Sequence, residues 1–369
     1  MRTSDVAIVG AGIVGAACAL ECARAGLRVA VFEAREIGGG ATAAGMGHIV
    51  VMDDSEEQFA LTRYSQLLWS VLAAELPPEV EYDACGTIWI AASEREMDEA
   101  RRKRDYYAAR GVAAELLDAR SLAEAEPNLR PGLAGGLRIP GDCVVYPPCA
   151  ARFLIDRARA LGARVEVGRA VVKLSGNRIE LADGSAVSCG LAVNAAGASA
   201  PELAPELAVQ KRKGHLVITD RYPGFVRHQL VELGYLESAH SASSDSVAFN
   251  VQPRRTGQLL IGSSRQYGVG DARMDAAMTR RMLERACSYM PRLGALAAIR
   301  GWTGFRPATA DNLPLIGPSR EQPDVWVAAG HEGLGITTSL ATGRLIADQI
   351  AGRPAAIPVG PYLPRSVTS

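Results

Sequence analysis

Residues 5–33 constrain the fold more than any other part of the chain. Asp5–Val9 (DVAIV) is the apolar run of a short buried strand, and Gly10-Ala11-Gly12-Ile13-Val14-Gly15 follows at once. An Ala-rich helix runs from there to about Ala25, Gly26 closes it, and Leu27–Glu33 (LRVAVFE) reads as a second strand. Strand, glycine-rich turn, helix and strand in this order form a βαβ unit. The glycines divide the work between them. Gly10 permits the tight turn, Gly12 lets the backbone approach a pyrophosphate, and Gly15 lets helix and strand pack closely. The N–H groups that open the helix, at Ile13 and Val14, suit phosphate oxygens. Glu33, followed by Ala34, ends the second strand where an acidic side chain accepts hydrogen bonds from ribose hydroxyls. The reading is a dinucleotide site, and its alternative is a purely structural turn. No second GxGxxG occurs, so no nicotinamide is expected beside the first dinucleotide.

With 369 residues, the chain has room for two to three domains and more than one core. Forty basic residues balance forty acidic ones, so nothing suggests a nucleic-acid partner or an anionic membrane surface. The seven cysteines are odd in number and scattered, without CxxC or metal-ligand spacing. No disulfide framework and no metal are expected; Cys18 and Cys22 read as small buried residues, and the chain as a reduced, cytoplasmic protein. The apolar start, Val6–Leu20, imitates a signal peptide, but its glycines have the better explanation above. It is too short to span a bilayer, and no integral membrane segment is expected.

A second glycine-rich stretch, Gly38–His48, brings small residues that let an extended ligand lie along the backbone; a flexible loop is the alternative. Helices are expected at Asp53–Ala74, Glu94–Arg110 (a solvated face), Cys149–Leu161 and Met274–Met290. Tyr82–Ala91 reads as a strand pair or hairpin, and Arg130–Pro148 as a turn-rich connection re-entering the first domain. Val171–Leu174 and Arg178–Leu181 form a hairpin, and Leu191–Ala195, ending in Ala196-Gly197, returns to the parallel pattern. From His215 to Ile261 the strands alternate with turn signals, which points to a second, largely antiparallel sheet and a substrate chamber. The expected fold is α/β (α+β, two domains): a discontinuous Rossmann-like domain from 1–80, 142–210 and 300–369, and a mainly antiparallel substrate domain from 81–141 and 211–299.

Two segments close the chain. In Gly304-Phe305-Arg306-Pro307-Ala308-Thr309-Ala310-Asp311, Arg306 is placed to clamp a carboxylate with two parallel hydrogen bonds, unless it pairs internally with Asp311. Val325–Ala329 is a strand, followed by Gly330-His331-Glu332-Gly333-Leu334-Gly335-Ile336-Thr337 and a helix to about Ile350. That helix N-terminus offers N–H groups and a dipole to partial negative charge, while His331 suits a structural turn as well as a site.

On Gly10–Gly15 with Glu33, Ala41–Met46, Val171, Asn194–Gly197, the Arg306-Pro307…Asp311…Pro314 run and Gly330–Thr337, the chain resembles D-amino-acid oxidase-type flavoproteins, in the glycine and sarcosine oxidase branch. Within that family, AAGMGHIVVMDDS, YSQLLW and QPRRTGQLLIGSSRQYG are similar to the β subunit of D-hydroxyproline dehydrogenases. The resemblance implies FAD extended along the nucleotide domain. Val171 would touch the adenine. Ala41, Thr42, Ala44, Gly45 and Met46 would follow the cofactor to the flavin ring, and Ala196-Gly197 would adjoin it. Gly330, His331, Glu332, Gly333, Leu334, Gly335, Ile336 and Thr337 would face the pyrimidine edge, and Arg306 would hold the substrate carboxylate. Met46, His48 and Tyr235 would line the chamber, the latter two as weaker candidates for which a structural role is the first reading. Pro307–Thr309 lacks the flavin-linking Cys of covalent sarcosine oxidases, which implies non-covalent FAD; Gly333 replaces an Arg of glycine oxidases.

The implied activity is dehydrogenation of a small amino or imino acid, D-hydroxyproline first, by hydride transfer to flavin N5 with no strong side-chain base. Glycine, sarcosine or D-amino-acid oxidation and L-proline dehydrogenation compete with it, as does a non-catalytic electron carrier, against which Arg306 argues. Related dehydrogenases work with further flavin or iron–sulfur subunits. Such partners are implied here too, with a cytoplasmic location at most peripheral to a membrane.

Overall fold

The structure, a computed structural model, describes residues 4–175, 177–234 and 245–365. Tyr235 lies outside the described residues. The chain folds as two compact units: Met1–Val80, Tyr146–Lys211 and Phe305–Ser369 form one, and Glu81–Val145 and Arg212–Gly304 the other. Residues 142–145 and 300–304 thus group with the second unit, and Lys211 with the first.

The first unit is built on an eight-stranded sheet. Its main path runs Leu315–Pro318, Val325–Ala329, Ala186–Asn194, β1 (Ser4–Val9), β2 (Val29–Glu33) and Arg164–Val167. The strands are parallel except for the antiparallel outer pair 315–318 and 325–329. Val6, Ala7 and Ile8 are fully buried, as an apolar run covered on both faces requires. Helix α1 (Ile13–Arg24) is buried along nearly its whole length, Cys18 and Cys22 included. The helix Gly335–Ile350 crosses it so closely that a Cβ on Gly343 would lie 2.6 Å from the Ala17 carbonyl. The helix expected from Asp53 begins at Glu56, because the Ser55 hydroxyl accepts from Gln58 N at 3.0 Å and caps it.

The second unit holds the other eight-stranded sheet, in the order Ala298–Ala308, Gln210–Thr219, Leu259–Arg265, Ser246–Pro253, Gln229–Glu232, Thr87–Ala91, Gly135–Ile139, Glu115–Asp118. Pairing is mostly antiparallel; Gln229–Glu232 runs parallel to Thr87–Ala91. Two expectations are corrected here. Of Tyr82–Ala91 only Thr87–Ala91 is a strand and no hairpin forms, because Gly86 turns the chain at φ +74° and Asp83 pairs with Val144 instead. Arg130–Pro148 is no mere connection: it supplies Gly135–Ile139, held between Thr87–Ala91 and Glu115–Asp118.

Alternation splits this sheet into two faces. Ile88, Ile90, Leu230, Phe249, Val251, Leu259 and Ile261 share a core with Met282, Ala286 and Tyr289 of the helix Ala276–Tyr289. Phe249 stacks on Tyr289 with centroids 4.6 Å apart. Glu232 is buried on this face, where the Tyr289 hydroxyl donates to it at 2.9 Å, Phe249 N at 2.6 Å and Arg285 completes the set. A buried carboxylate is tolerated only when so served. The charged helix Glu94–Ala108 is not a solvated face throughout: Met97, Ala100, Lys103 and Tyr107 are buried, with Lys103 Nζ 5.2 Å from the Trp89 ring centroid. No helix among the described residues is long and apolar enough to cross a membrane.

Candidate active site

Four of the singled-out segments, far apart in sequence, meet at the carboxyl ends of adjacent parallel strands. Gly10-Ala11 follows β1, Glu33-Ala34 ends β2, Ala195–Gly197 follows Ala186–Asn194, and Gly330 follows Val325–Ala329. This edge of an open α/β sheet is where ligands bind. The glycines are sterically obligatory. Gly10 sits at φ +102° with its missing Cβ position 2.6 Å from Ala195 O, and that of Gly15 is 2.0 Å from Gly10 O. Helix α1 begins at Gly12, which has no side chain to cap it, and carries no acidic residue in its first turn, so its positive end beyond Ile13 N suits an anion. Thr42 Oγ1 accepts from Ile13 N at 3.0 Å and lies 3.2 Å from where a Gly12 Cβ would be, so a hydroxyl occupies the helix mouth.

Glu33 Oε2 accepts from Ala11 N at 2.7 Å and Oε1 from Arg35 N at 2.8 Å. These bonds hold the carboxylate at the strand end while each oxygen keeps a lone pair for a ribose hydroxyl. Val171 opens the hairpin strand Val171–Ser175 and packs against the core that holds Val9, Ala30 and Phe32. Asn194 shapes the next turn: its amide donates to Ala200 O at 2.9 Å and accepts from Ala196 N at 3.3 Å.

The stretch Ala41–His48 meets Gly330–Thr337 directly. Thr337 Oγ1 donates to His48 O at 2.8 Å and accepts from Val50 N at 3.3 Å. A Cβ on Gly45 would come within 2.7 Å of Ile336 Cδ1, and Trp69 Nε1 donates to Ile336 O at 3.3 Å. Met46 is buried in this junction, and His48 is half-buried. The helix Gly335–Ile350 begins with no side-chain cap and no acidic residue in its first turn, so its N–H groups stay directed at the preceding turn.

His331 serves that turn structurally. It is buried, its Nε2 bonds Thr342 Oγ1 at 3.0 Å, and burial pushes its pKa down to about 3. Arg306 does not pair with Asp311, whose carboxylate takes Arg365 Nε at 2.7 Å and is held below the usual carboxylate range by the bonds from Arg365 and Leu313 N despite its partial burial. Arg306 runs instead beside exposed Gly333, with Nε and Cδ 3.7 and 3.8 Å from the missing Cβ position. Sequence reasoning missed Arg365 as the partner of Asp311, Thr342 as that of His331 and the Thr337 clasp; nothing in local spacing announces any of them. Among the described residues no group of acidic, His and Cys side chains is arranged to hold a metal ion.

The family model "FAD dependent oxidoreductase" (DAO) matches residues 5–349. Glycine oxidase of Geobacillus kaustophilus is 30% identical over 374 residues, covering 97% of this chain and 96% of the relative. Hydrogen cyanide synthase subunit HcnC of Pseudomonas aeruginosa is 26% identical, with 98% and 96% covered. The crystal structure of the G. kaustophilus glycine oxidase superposes with a TM-score of 0.88 at 29% identity, over 99% of each chain. With its glycine turn, its strand-end carboxylate and these matches along nearly its full length, the chain belongs to the DAO family of FAD-dependent oxidoreductases.

Proposed function

We propose that this chain oxidises the carbon–nitrogen bond of a small amino or imino acid, with a hydroxylated five-membered imino acid of the D series as the best-fitting substrate and its cyclic imine as product. The observation that carries the reading is Arg306 beside the side-chain-free Gly333: a Cβ at position 333 would stand in contact with Arg306, 3.7 Å from its Nε, so the glycine keeps a further side chain away from a guanidinium suited to a substrate carboxylate. The family relationship supports the chemistry, since its relatives include glycine oxidases.

Bound FAD supplies the acceptor for the hydride equivalent that leaves the substrate's α carbon. The chain's own groups do the rest. Gly10, Gly12, Ile13, Val14 and Gly15 take the pyrophosphate with the help of Thr42, Glu33 and Ala34 take the ribose, and Val171 adjoins the adenine. Ala41, Ala44, Gly45, Met46, Ala196 and Gly197 would follow the cofactor, and the N–H groups of Gly330–Thr337 would turn the positive end of a helix toward it. Arg306 fixes the substrate carboxylate so that its α C–H is presented in one orientation. His331, its pKa pushed down to about 3 by burial, bonds Thr342 and keeps the turn in shape. FAD is held without a covalent bond. Electrons leave to a dye, a quinone-linked chain or a partner subunit, the HcnC relative being itself named as a subunit.

Glycine oxidation is the second reading, favoured by the similarity to glycine oxidases. An anaerobic panel decides between them: D-proline, 4-hydroxy-D-proline, L-proline, sarcosine, glycine and D-alanine are each mixed with the yellow holoenzyme, and loss of flavin absorbance is followed. Fast bleaching by the ring imino acids is expected. Bleaching by glycine alone would replace the first reading with the second, and no bleaching by any of them would leave the chain an electron carrier.

A further inference from the structure

The helix Gly335–Ile350 carries four buried hydroxyls in its first two turns, at Thr337, Thr338, Ser339 and Thr342. Three of them bond back along the chain. Thr338 donates to Leu334 O at 2.8 Å, Ser339 to Ile336 O at 2.9 Å and Thr342 to Thr338 O at 2.9 Å. Thr337 reaches outside the helix instead: its Oγ1 donates to His48 O at 2.8 Å and accepts from Val50 N at 3.3 Å. Those two backbone groups flank Ile49. In an extended chain such a C=O and N–H point to the same side, so one hydroxyl takes the place that a neighbouring strand would fill.

A threonine hydroxyl has one hydrogen and two lone pairs. The hydrogen of Thr337 is committed to His48 O, and those of the other three hydroxyls to carbonyls of the helix and its opening turn, so this helix end has only its backbone N–H groups left to offer a ligand. The Thr337 hydroxyl ties two segments of one site together. Ala41–Met46 runs into the clasped residues, and its Gly45 lies so close to the helix that a Cβ would come within 2.7 Å of Ile336 Cδ1. Trp69 Nε1, donating to Ile336 O at 3.3 Å, holds the same turn. We infer that Thr337 is a positioning residue: by clasping His48 and Val50 it fixes the spacing between the helix N-terminus and the segment that follows the flavin, and so sets the redox potential of bound FAD. The inference rests on the FAD placement proposed above and not on the choice of substrate. Reduction adds negative charge to the flavin, and the positive end of a helix stabilises negative charge only within about one turn. Without the hydroxyl the spacing is lost, because Thr337 is 0% and Val50 3% exposed, and Val50 N is then buried without a partner unless the segment shifts.

The test reads the cofactor and needs no substrate. Two-electron midpoint potentials are measured on the holoenzymes by anaerobic equilibration with a reference dye, with flavin content and melting temperature recorded beside them. Thr337→Val keeps the shape and removes both bonds. It should lose about tenfold in preference for reduced over oxidised flavin, the size expected when charge moves away from a helix terminus, and this is a fall of about 30 mV. Thr337→Ser keeps both bonds and should keep the wild-type potential, as should Ser339→Ala, whose hydroxyl stays within the helix. If Thr337→Val retains no FAD, Thr337→Cys, a weak donor and acceptor, is read in its place and should shift the potential in the same direction. Gly45→Ala tests the FAD placement separately, since its methyl presses on Ile336 and should move the potential whether or not Thr337 matters. A potential that moves in Gly45→Ala but not in Thr337→Val, or that moves as far in Thr337→Ser, overturns the role of Thr337 and leaves the placement standing. A potential unmoved in every variant overturns both. A lower melting temperature with an unchanged potential makes Thr337 an ordinary packing residue.

Discussion

The side chain of Arg306 passes beside Gly333, so that a Cβ there would stand 3.7 Å from its Nε and 3.8 Å from its Cδ. Those are ordinary contact distances, and Gly333→Ala should fold, retain FAD and lose little activity. A branched side chain has to occupy the space next to the guanidinium. Gly333→Leu should therefore raise KM for a ring imino acid by about tenfold while glycine, if oxidised, suffers less, in line with the cost of overfilling a packed site. Equal losses for the two substrates would show that Gly333 does not shape the pocket.

Arg306→Lys keeps the charge and loses the planar fork, so it is not conservative at a carboxylate clamp. The loss should be about 1.5–3 kcal/mol, or one to two powers of ten in kcat/KM, with flavin content and Tm nearly unchanged. An amine substrate without a carboxylate should be spared. If it loses as much as the amino acid, Arg306 is not a clamp.

His331 should leave a mark on the pH dependence of stability. Its folded-state pKa lies at about 3, below the ordinary imidazole value of 6.5, because burial disfavours the cation. Between these two values the unfolded chain binds a proton that the folded chain refuses. The stabilising contribution is complete above pH 6.5 and is lost as the pH falls toward 3, with a slope approaching about 1.4 kcal/mol per pH unit. His331→Gln removes the titrating group and should flatten the acid limb of a denaturation series by up to one proton. An unchanged slope would mean that His331 is accessible to protons in the folded protein.

Gly343 faces the backbone of Ala17 and Cys18, with a Cβ position 2.6 Å from Ala17 C and O and 3.0 Å from Cys18 N. Alanine is the better helix former by up to about 1 kcal/mol, yet here the helices would have to separate. Gly343→Ala should cost roughly 1–3 kcal/mol net and lower Tm by several degrees. Gly270→Ala, with nothing within 4 Å of the new methyl, is the neutral control. Equal thermal shifts in the two variants would contradict the close crossing.

Glu33 accepts N–H bonds on both oxygens, from Ala11 and from Arg35. In Glu33→Gln an NH2 group must face one of those donors, so the loop is disturbed and an acceptor for ribose is lost. The variant should release FAD more readily on gel filtration. Acid precipitation of the wild type should leave all the flavin in solution; flavin that stays with the pellet would show a covalent bond.

Much of this protein is legible along the chain, and for one reason: where a contact is local, the residues that make it lie close in sequence. The turn Gly10–Gly15, the βαβ unit it joins, the carboxylate of Glu33 and the apolar run of β1 are local in this sense, and together they bear out the α/β fold and the flavin cofactor. Tertiary structure decided what pairs with what. Asp311 lies five residues from Arg306 but takes Arg365, fifty-four residues on, because the tail folds back beneath it. Thr337 closes on His48 across 289 residues, and Gly343 is forced by a helix that begins at Ile13. Glu115–Asp118 and Gly135–Ile139 have weak strand signals of their own; Gly135–Ile139 becomes a strand on the unpaired backbone groups of Thr87–Ala91, and its own outer edge in turn takes Glu115–Asp118. Likewise Ile88, Leu230 and Val251 come from three separate strands, and only the register of a sheet, which no local pattern encodes, sets them side by side.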